Sequence, residues 1–318
     1  MLDKKNSYVA NFNCTFGEED APMLDYFFDI ILPAFLEDDA QGEKPSPKNQ
    51  PEYFFNNVKL TNVKGEFVLA GLIVKRTTLE VRSKFIDGRL EKTYEMHPSD
   101  PYSYFIINLK NHRMVLVKNQ KGSPTLKNFS VTARDKIKKY IRNKNESRKE
   151  LLPDVQLNVV AIPFTGAIEE QLKKVKKVKN VKLRFYPLNG DIIDNETVDH
   201  LTESLEKLGS KTGNITFNTP TNKENVAAII KDTKGLLQPT IRVKFNNDTE
   251  VTLKDDSFTE VMSIPLDDEM SFNEHIDDIT GKVINKDEFI ETSEENNSIY
   301  HRVYTKLETA YNNLKNRF

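Results

Sequence analysis

The chain has 318 residues, 37% hydrophobic and 30% charged, and a formal net charge of −2. That length can bury a large core in one extended domain or two. A single cysteine, Cys14, excludes an internal disulfide and a cysteine-based zinc site, no run of 18 apolar residues predicts a membrane span, and residues 1–12 lack the apolar centre of a signal peptide; the expectation is a cytoplasmic protein.

Residues 8–16, YVANFNCTF, alternate as a strand, with Ala10, Phe12 and Cys14 on one side and Val9, Asn11 and Asn13 on the other. From Ala21 to Leu36, Met23, Leu24, Phe27, Phe28, Ile31, Leu32 and Phe35 recur at spacings suited to an amphipathic helix, opened by Pro22 and bent near Pro33. Residues 37–51 hold three prolines and no large apolar side chain, and read as a loop. Residues 53–118 read as successive strands, turning at Lys64-Gly65, Asp87-Gly88 and Lys110 to His112. From Pro124 to Arg142 a helix is expected on Leu126, Phe129, Ala133, Ile137, Tyr140 and Ile141, with Arg134, Lys136, Lys138, Lys139 and Arg142 on its exposed face.

The stretch from Pro153 to Pro187 organises the chain. VQLNVVAIP predicts a strand that ends at Pro163, Ile168, Leu172, Val175 and Val178 predict a helix over 167–179, and VKLRFYPL predicts a second strand. So short a strand–helix–strand unit favours one sheet covered by helices. Further on, helices are expected at 195–208 and 223–234, a short strand at ITFNT, a hairpin from TIRVKF to EVTLKD and a strand in SFTEVMSIPL. Residues 267–297 read as acidic and irregular. A last helix, 298–317, carries Val303, Leu307, Ala310 and Leu314 as a two-heptad seam for a homodimer. The expected fold is α+β: a mixed or largely antiparallel sheet covered by helices, with a second, smaller α/β portion. Its expected divisions are 1–190, 191–297 and 298–318.

Charge is segregated along the chain. Arg134 to Arg184 holds fifteen basic against six acidic residues, and Asn246 to Tyr300 holds sixteen acidic against three basic. The basic part either meets a polyanion or is covered by the acidic part. The candidate phosphate-gripping residues are Lys138, Lys139, Lys173, Lys174, Lys176, Lys177 and Arg184; the plain alternative is a pair of solvated helix faces. Lysine predominates and no aromatic residue interleaves the lysines, which favours backbone contact over base readout.

Enzymatic signals are sparse. His112, beside Lys110 and Arg113 in LKNHRM, is the one histidine placed to act as acid or base on a phosphodiester, as in a metal-independent ribonuclease, and an ordinary turn residue is the alternative. The carboxylate pairs Asp255-Asp256, Asp267-Asp268 and Asp277-Asp278 lack the strand spacing of a metal-dependent nuclease, so no metal is expected. Nucleotide-binding glycine motifs are missing and no cofactor is expected.

The strand–turn–strand YFIINLKNHRMVLV, the helix ending KIKKYI and the unit VQLNVVAIP…IEEQLKKVKKVKNVKLRFYPLNGD give the first 190 residues a pattern that resembles an uncharacterised bacterial family found beside phage-defence genes. The resemblance implies a cytosolic bacterial protein that serves abortive infection or nucleic-acid surveillance, and it carries over no active-site residue. The leading expectation is therefore nucleic-acid binding in phage defence. The alternatives are the ribonuclease and a protein-interaction subunit of a defence complex.

Overall fold

The computed structural model describes residues 2–37, 51–188, 196–254, 257–259, 262–267, 269–283, 289 and 292–315. The fold is α+β, built on two antiparallel sheets. The loop expected at 37–51 lies almost wholly outside the described residues.

The larger sheet is organised by β1 (Leu2–Phe16), which is longer than the alternating segment predicts. One edge of β1 takes β13 (Met262–Asp267) along its first half and β8 (Val155–Ala161) along its second. The other edge takes β7 (Arg113–Lys118) and the short β2 (Ala21–Pro22). From β7 the sheet runs through β6 (Tyr102–Asn108) and β4 (Glu66–Ile86) to β3 (Glu52–Val63). The β3–β4 turn, Lys64-Gly65, and the turn Asp87-Gly88 between β4 and β5 (Arg89–Ser99) have positive φ at both positions (52° and 90°, 48° and 79°), the geometry that fits a two-residue hairpin to strand twist.

The continuous apolar runs in β4, β6 and β7 reflect burial on both faces. On one face Phe12, Cys14, Leu69, Phe105, Ile107 and Leu116 meet three helical segments. The first runs from Met23–Tyr26 as a 3₁₀ turn through a π turn, Phe27–Ile31, into α1 (Leu32–Leu36). Pro33 has no N–H to give the preceding turn, and the π register, with Leu32 N–H donating to Phe27, absorbs the mismatch. The second is α2 (Leu126–Asn145), capped by a reciprocal Thr125–Asn128 box. The third is α7 (Glu294–Lys315), whose Ile299, Tyr300, Val303 and Leu307 are buried in this core, with Ala310 and Leu314 packed against it. The seam expected to face a second copy therefore faces the chain's own sheet. On the opposite face Val68, Ala70, Ile106, Val115 and Val117 meet α6 (Phe272–Val283), a helix inside the stretch read as irregular. Gly71 is required between its two neighbouring strands: a Cβ there would lie 2.9 Å from the Phe105 ring on β6 and 3.1 Å from the Val58 backbone on β3.

The expected strand–helix–strand unit does not lie in one sheet. After β8 the chain bridges at Pro163 to Thr259, forms α3 (Thr165–Lys173) and enters β9 (Val175–Phe185), the second strand of a separate sheet ordered β10 (Gly213–Asn218), β9, β11 (Gln238–Phe245) and β12 (Glu250–Lys254). The changeover thus comes at residues 162–164, and α3 and β9 share a core with the segment after residue 195. The helix expected over 167–179 ends at Lys173. Two β-bulges explain the misleading spacing: β9 has one extra residue at Lys179 and one at Lys176 relative to β11, so Val175, Val178 and Val181 all face the same side although they are three apart. That side is covered by α3, α4 (Glu196–Leu208) and α5 (Lys223–Asp232).

Candidate polyanion cleft

The helices occupy only one face of the four-stranded sheet. Strand pairing sets the side chains of the other face in rows: Thr216, Lys182, Thr240 and Lys254; Asn214, Arg184 and Gln238; Asn218, Asn180, Arg242 and Thr252; and Lys177, Lys244 and Glu250. Among the described residues, these rows hold six cations and one carboxylate. Glu250 lies 3.1 Å from Lys179 and 3.0 Å from Arg242, and Lys179 foremost holds its carboxyl below the usual range. In the β11–β12 turn, Asp248 lies 2.9 Å from Lys244 and 3.0 Å from Lys176, and both hydrogen bonds depress its carboxyl in the same way. Two carboxylates of the acidic segment, Asp248 and Glu250, thus compensate the basic face at its β11–β12 end.

The other end of this face meets the large sheet in a cleft of about 500 Å³. Its walls are Arg184, Gln238 and Lys254 from the small sheet, Tyr8, Asn158 and Val160 from β1 and β8, Lys118 from the end of β7, and the cap Thr125 with Lys127, Val131 and Arg134 from the first half of α2. Among the described residues, five cations line the cleft and no carboxylate does. Arg134 is aimed by its Nε and Nη2, which donate to the Leu157 carbonyl at 3.3 and 2.7 Å. The Lys118 ammonium sits 5.9 Å from the Tyr8 ring centroid, covering that ring with charge. The positive end of the α2 dipole adds to the same field.

The residues named from sequence divide unequally around this cleft. Arg184 lines it. Lys138 continues the helical row Lys127, Val131, Arg134 at spacings of four, three and four, so it extends the α2 wall. Lys139 is exposed on a neighbouring row of the helix. Lys177 belongs to the open face, while Lys176 is a bulge residue held by Asp248. Lys173 and Lys174 end α3 in the helix layer, across the sheet from Arg184, and Lys174 bonds Glu170 at 2.8 Å. Lys136, expected on the exposed face of α2, is buried and donates to the Glu37 carbonyl at 2.8 Å. Lysines of α3 and α2 thus do not form one stripe; the helix partner of α2 is replaced by the open face of β9, β11 and β12.

The ribonuclease constellation is not assembled. His112 is 0% exposed and Arg113 is 3% exposed, with Arg113 donating to the Asn11 side chain, while Lys110 pairs with Glu66 at 3.0 Å. A phosphodiester cannot reach an imidazole inside the core. Among the described residues no group of histidine, cysteine, aspartate or glutamate side chains is arranged to hold a metal ion, and no helix is long and apolar enough to cross a membrane.

Sequence reasoning missed Lys118, Lys127, Arg242, Lys244 and Lys254 as site residues. The alternation in TIRVKF marks Arg242 and Lys244 as one face of a strand, so those two carry a readable signal. Lys118 and Lys127 are isolated cations that only the docking of β7 and α2 brings beside Arg184. Comparison of the chain with models of known families, with curated proteins and with solved structures finds no match.

Proposed function

We propose that the protein binds nucleic acid through its phosphate backbone, along the cleft and the adjoining open face of the small sheet. The observation that carries this reading is the cleft lining, which among the described residues has Lys118, Lys127, Arg134, Arg184 and Lys254 and no carboxylate. Cations gathered in a concave wall focus a positive field, and each phosphate neutralised there releases counterions. The outer face extends the contact beyond the size of a small anion, through Lys182, Arg242 and Lys244. Base readout is not supported, because the cleft's aromatic ring, Tyr8, lies under Lys118. The phage-defence setting rests on the family resemblance, and the geometry supports only the binding half of that expectation.

The test is a salt titration with single-stranded and duplex oligonucleotides. Wild-type protein is expected to bind at 50 mM salt, with a log–log slope of roughly −3 if about four single-strand phosphates are contacted. Arg184→Ala with Lys254→Ala should flatten that slope by about one to two. No binding at low salt, a flat salt response, or a double variant indistinguishable from wild type would remove the proposal.

A further inference from the structure

The cleft does not end at Lys118. That residue also lines a smaller recess, with Asn6 and the turn 119–122 that follows β7. Lys5, Asn119 and Gln120 carry this recess over into a third one, of about 590 Å³. By alternation Lys118 and Asn6 lie on the α2 face of the large sheet, with Leu116 and Tyr8, whereas Lys5 lies on the α6 face, with Val9. The middle recess therefore turns round the rim of the sheet. It holds Lys5, Lys118 and Lys121 and, among the described residues, no carboxylate. Its turn is fastened at both ends: the Gln120 N–H donates to the Ser123 hydroxyl at 3.0 Å, and the Ser123 N–H to the Gln120 carbonyl at 3.2 Å.

The third recess has a different chemistry. Tyr102, Tyr104, Phe272 and His275 line it, beside Met270, a pliable apolar side chain that can close over a bound ring. Tyr104 is buried and stacks on Phe272 at 6.0 Å, and the Lys59 ammonium lies 5.7 Å from the Phe272 centroid. Both ring nitrogens of His275 are engaged, one with the Tyr104 hydroxyl and one with the Asp267 carbonyl, so this imidazole is a wall. Tyr102, half-buried and perpendicular to Tyr104 at 5.5 Å, is the ring with surface left for a ligand. The recess has the size of a small-ligand site, and the lysines at its mouth select a flat group that is joined to negative charge.

We infer that the aromatic recess stacks a base of the same strand whose phosphates lie in the cleft, an assignment that rests on phosphate binding there and makes the partner single-stranded. Continuity selects this occupant. A row of phosphates leaving the cleft at Lys118 meets Lys121 and Lys5 and arrives beside Tyr102. Within the cleft stacking is not on offer, since Tyr8 lies under Lys118. Every base has a π-face, so Tyr102 adds affinity without sequence preference. A duplex is stiff over roughly 150 base pairs and keeps its bases stacked on one another, so it cannot follow this path round the rim.

The test compares a twelve-nucleotide single strand with an abasic strand of equal length, which keeps the phosphates and has no bases. Wild type should bind the base-bearing strand about five- to a hundredfold more tightly, the range that stacking of one base supplies. Tyr102→Leu keeps apolar volume without the ring, and should cut that preference at least threefold with an unchanged salt slope. The chain contains no tryptophan, so Tyr102→Trp makes a single fluorescent reporter that still stacks. Its emission should fall by at least half with the base-bearing strand and hold steady with the abasic one. Equal affinity of wild type for the two strands, with a steep salt slope, would overturn the stacking assignment and leave phosphate binding in the cleft intact. Binding of neither strand would remove both. A preference that survives Tyr102→Leu, a reporter quenched alike by both strands, a duplex bound as tightly as the single strand, or a nucleoside monophosphate bound as tightly as the strand would each overturn the assignment as well.

Discussion

The side-chain amide of Asn13 donates to the carbonyl of Pro187 at 2.8 Å, joining the second half of β1 to the segment that leaves β9. Two residues along β1, Asn11 donates to the Lys234 carbonyl at 3.2 Å, and a Cβ at Gly235 would lie 2.9 Å from that same amide. The polar side of β1 thus holds the small sheet against the large one and sets the width of the cleft between them. Asn13→Ala leaves a buried carbonyl without this donor, at a cost of about 1–3 kcal/mol. Chemical denaturation should report that loss. Oligonucleotide affinity should fall as well, with no change in salt slope, since no cation has been removed. An unchanged unfolding midpoint would show that the bond does not hold the sheets.

Among the described residues, Glu250 is the single carboxylate in the strand rows of the open sheet face, and it draws Lys179 and Arg242 toward itself. Glu250→Gln removes a negative charge and releases both cations toward a bound phosphate chain. Oligonucleotide affinity at 100 mM salt should rise by about two- to tenfold, with a steeper salt dependence. Because Lys179 and Arg242 hold this carboxyl below its usual range, wild-type protein should keep the charge, and the weaker binding, down through pH 5. Weaker binding by the Gln variant would mean that nucleic acid does not travel over this face.

Tyr300 links α7 to the large sheet, its hydroxyl accepting from the Phe67 N–H at 2.9 Å. Burial first of all, opposed by that hydrogen bond, pushes the phenol up to about 12, against about 10 in an unfolded chain. The native state therefore holds this proton more tightly. Its contribution to stability is fully present below about pH 10 and is lost as pH rises through 12. Denaturation at pH 8, 9, 10 and 11 should show stability falling more steeply in wild type than in Tyr300→Phe, which begins lower because the Phe67 N–H has lost its acceptor. Parallel curves for the two proteins would assign the alkaline loss to other groups.

Hairpin turns and apolar faces were legible in the sequence because they are local: Asp87-Gly88 and Lys64-Gly65 declare their geometry in two residues, and Ala10, Phe12 and Cys14 declare one face of β1. The helix–strand boundary near Lys174 was not legible, since bulges at Lys176 and Lys179 give a strand the apolar spacing of a helix. The β-branched valines there were the better guide. His112 misled for a different reason. A turn reading Lys-Asn-His-Arg resembles solvent-exposed chain, yet Asn111 donates to the Phe289 carbonyl and the His112 carbonyl accepts from Phe12 N–H, so elements distant in sequence bury it. Within the cleft, Arg184 was found because it alternates on a strand, whereas Lys118 and Lys127 become neighbours of it only through tertiary packing.

Tyr104 and His275 tie β6 to α6, with the phenol oxygen 2.6 Å from Nδ1 of the imidazole and Nε2 2.7 Å from the Asp267 carbonyl oxygen. A carbonyl can only accept, so Nε2 carries the proton, and in the neutral ring Nδ1 then accepts the Tyr104 hydroxyl. Both partners of the imidazole are thereby assigned, and one tautomer is enforced. Nitrogen-15 spectra at pH 8 should show His275 as the Nε2–H form with a hydrogen-bonded Nδ1. Tyr104→Phe removes the donor but preserves the ring that stacks on Phe272 at 6.0 Å, so the expected loss is that of one buried hydrogen bond, about 1–2 kcal/mol. The Nδ1 resonance should move to an unbonded position while the Nε2–H resonance stays. Observation of the Nδ1–H tautomer in wild type would show instead that the tyrosine accepts, and that α6 is docked in a different register on the sheet.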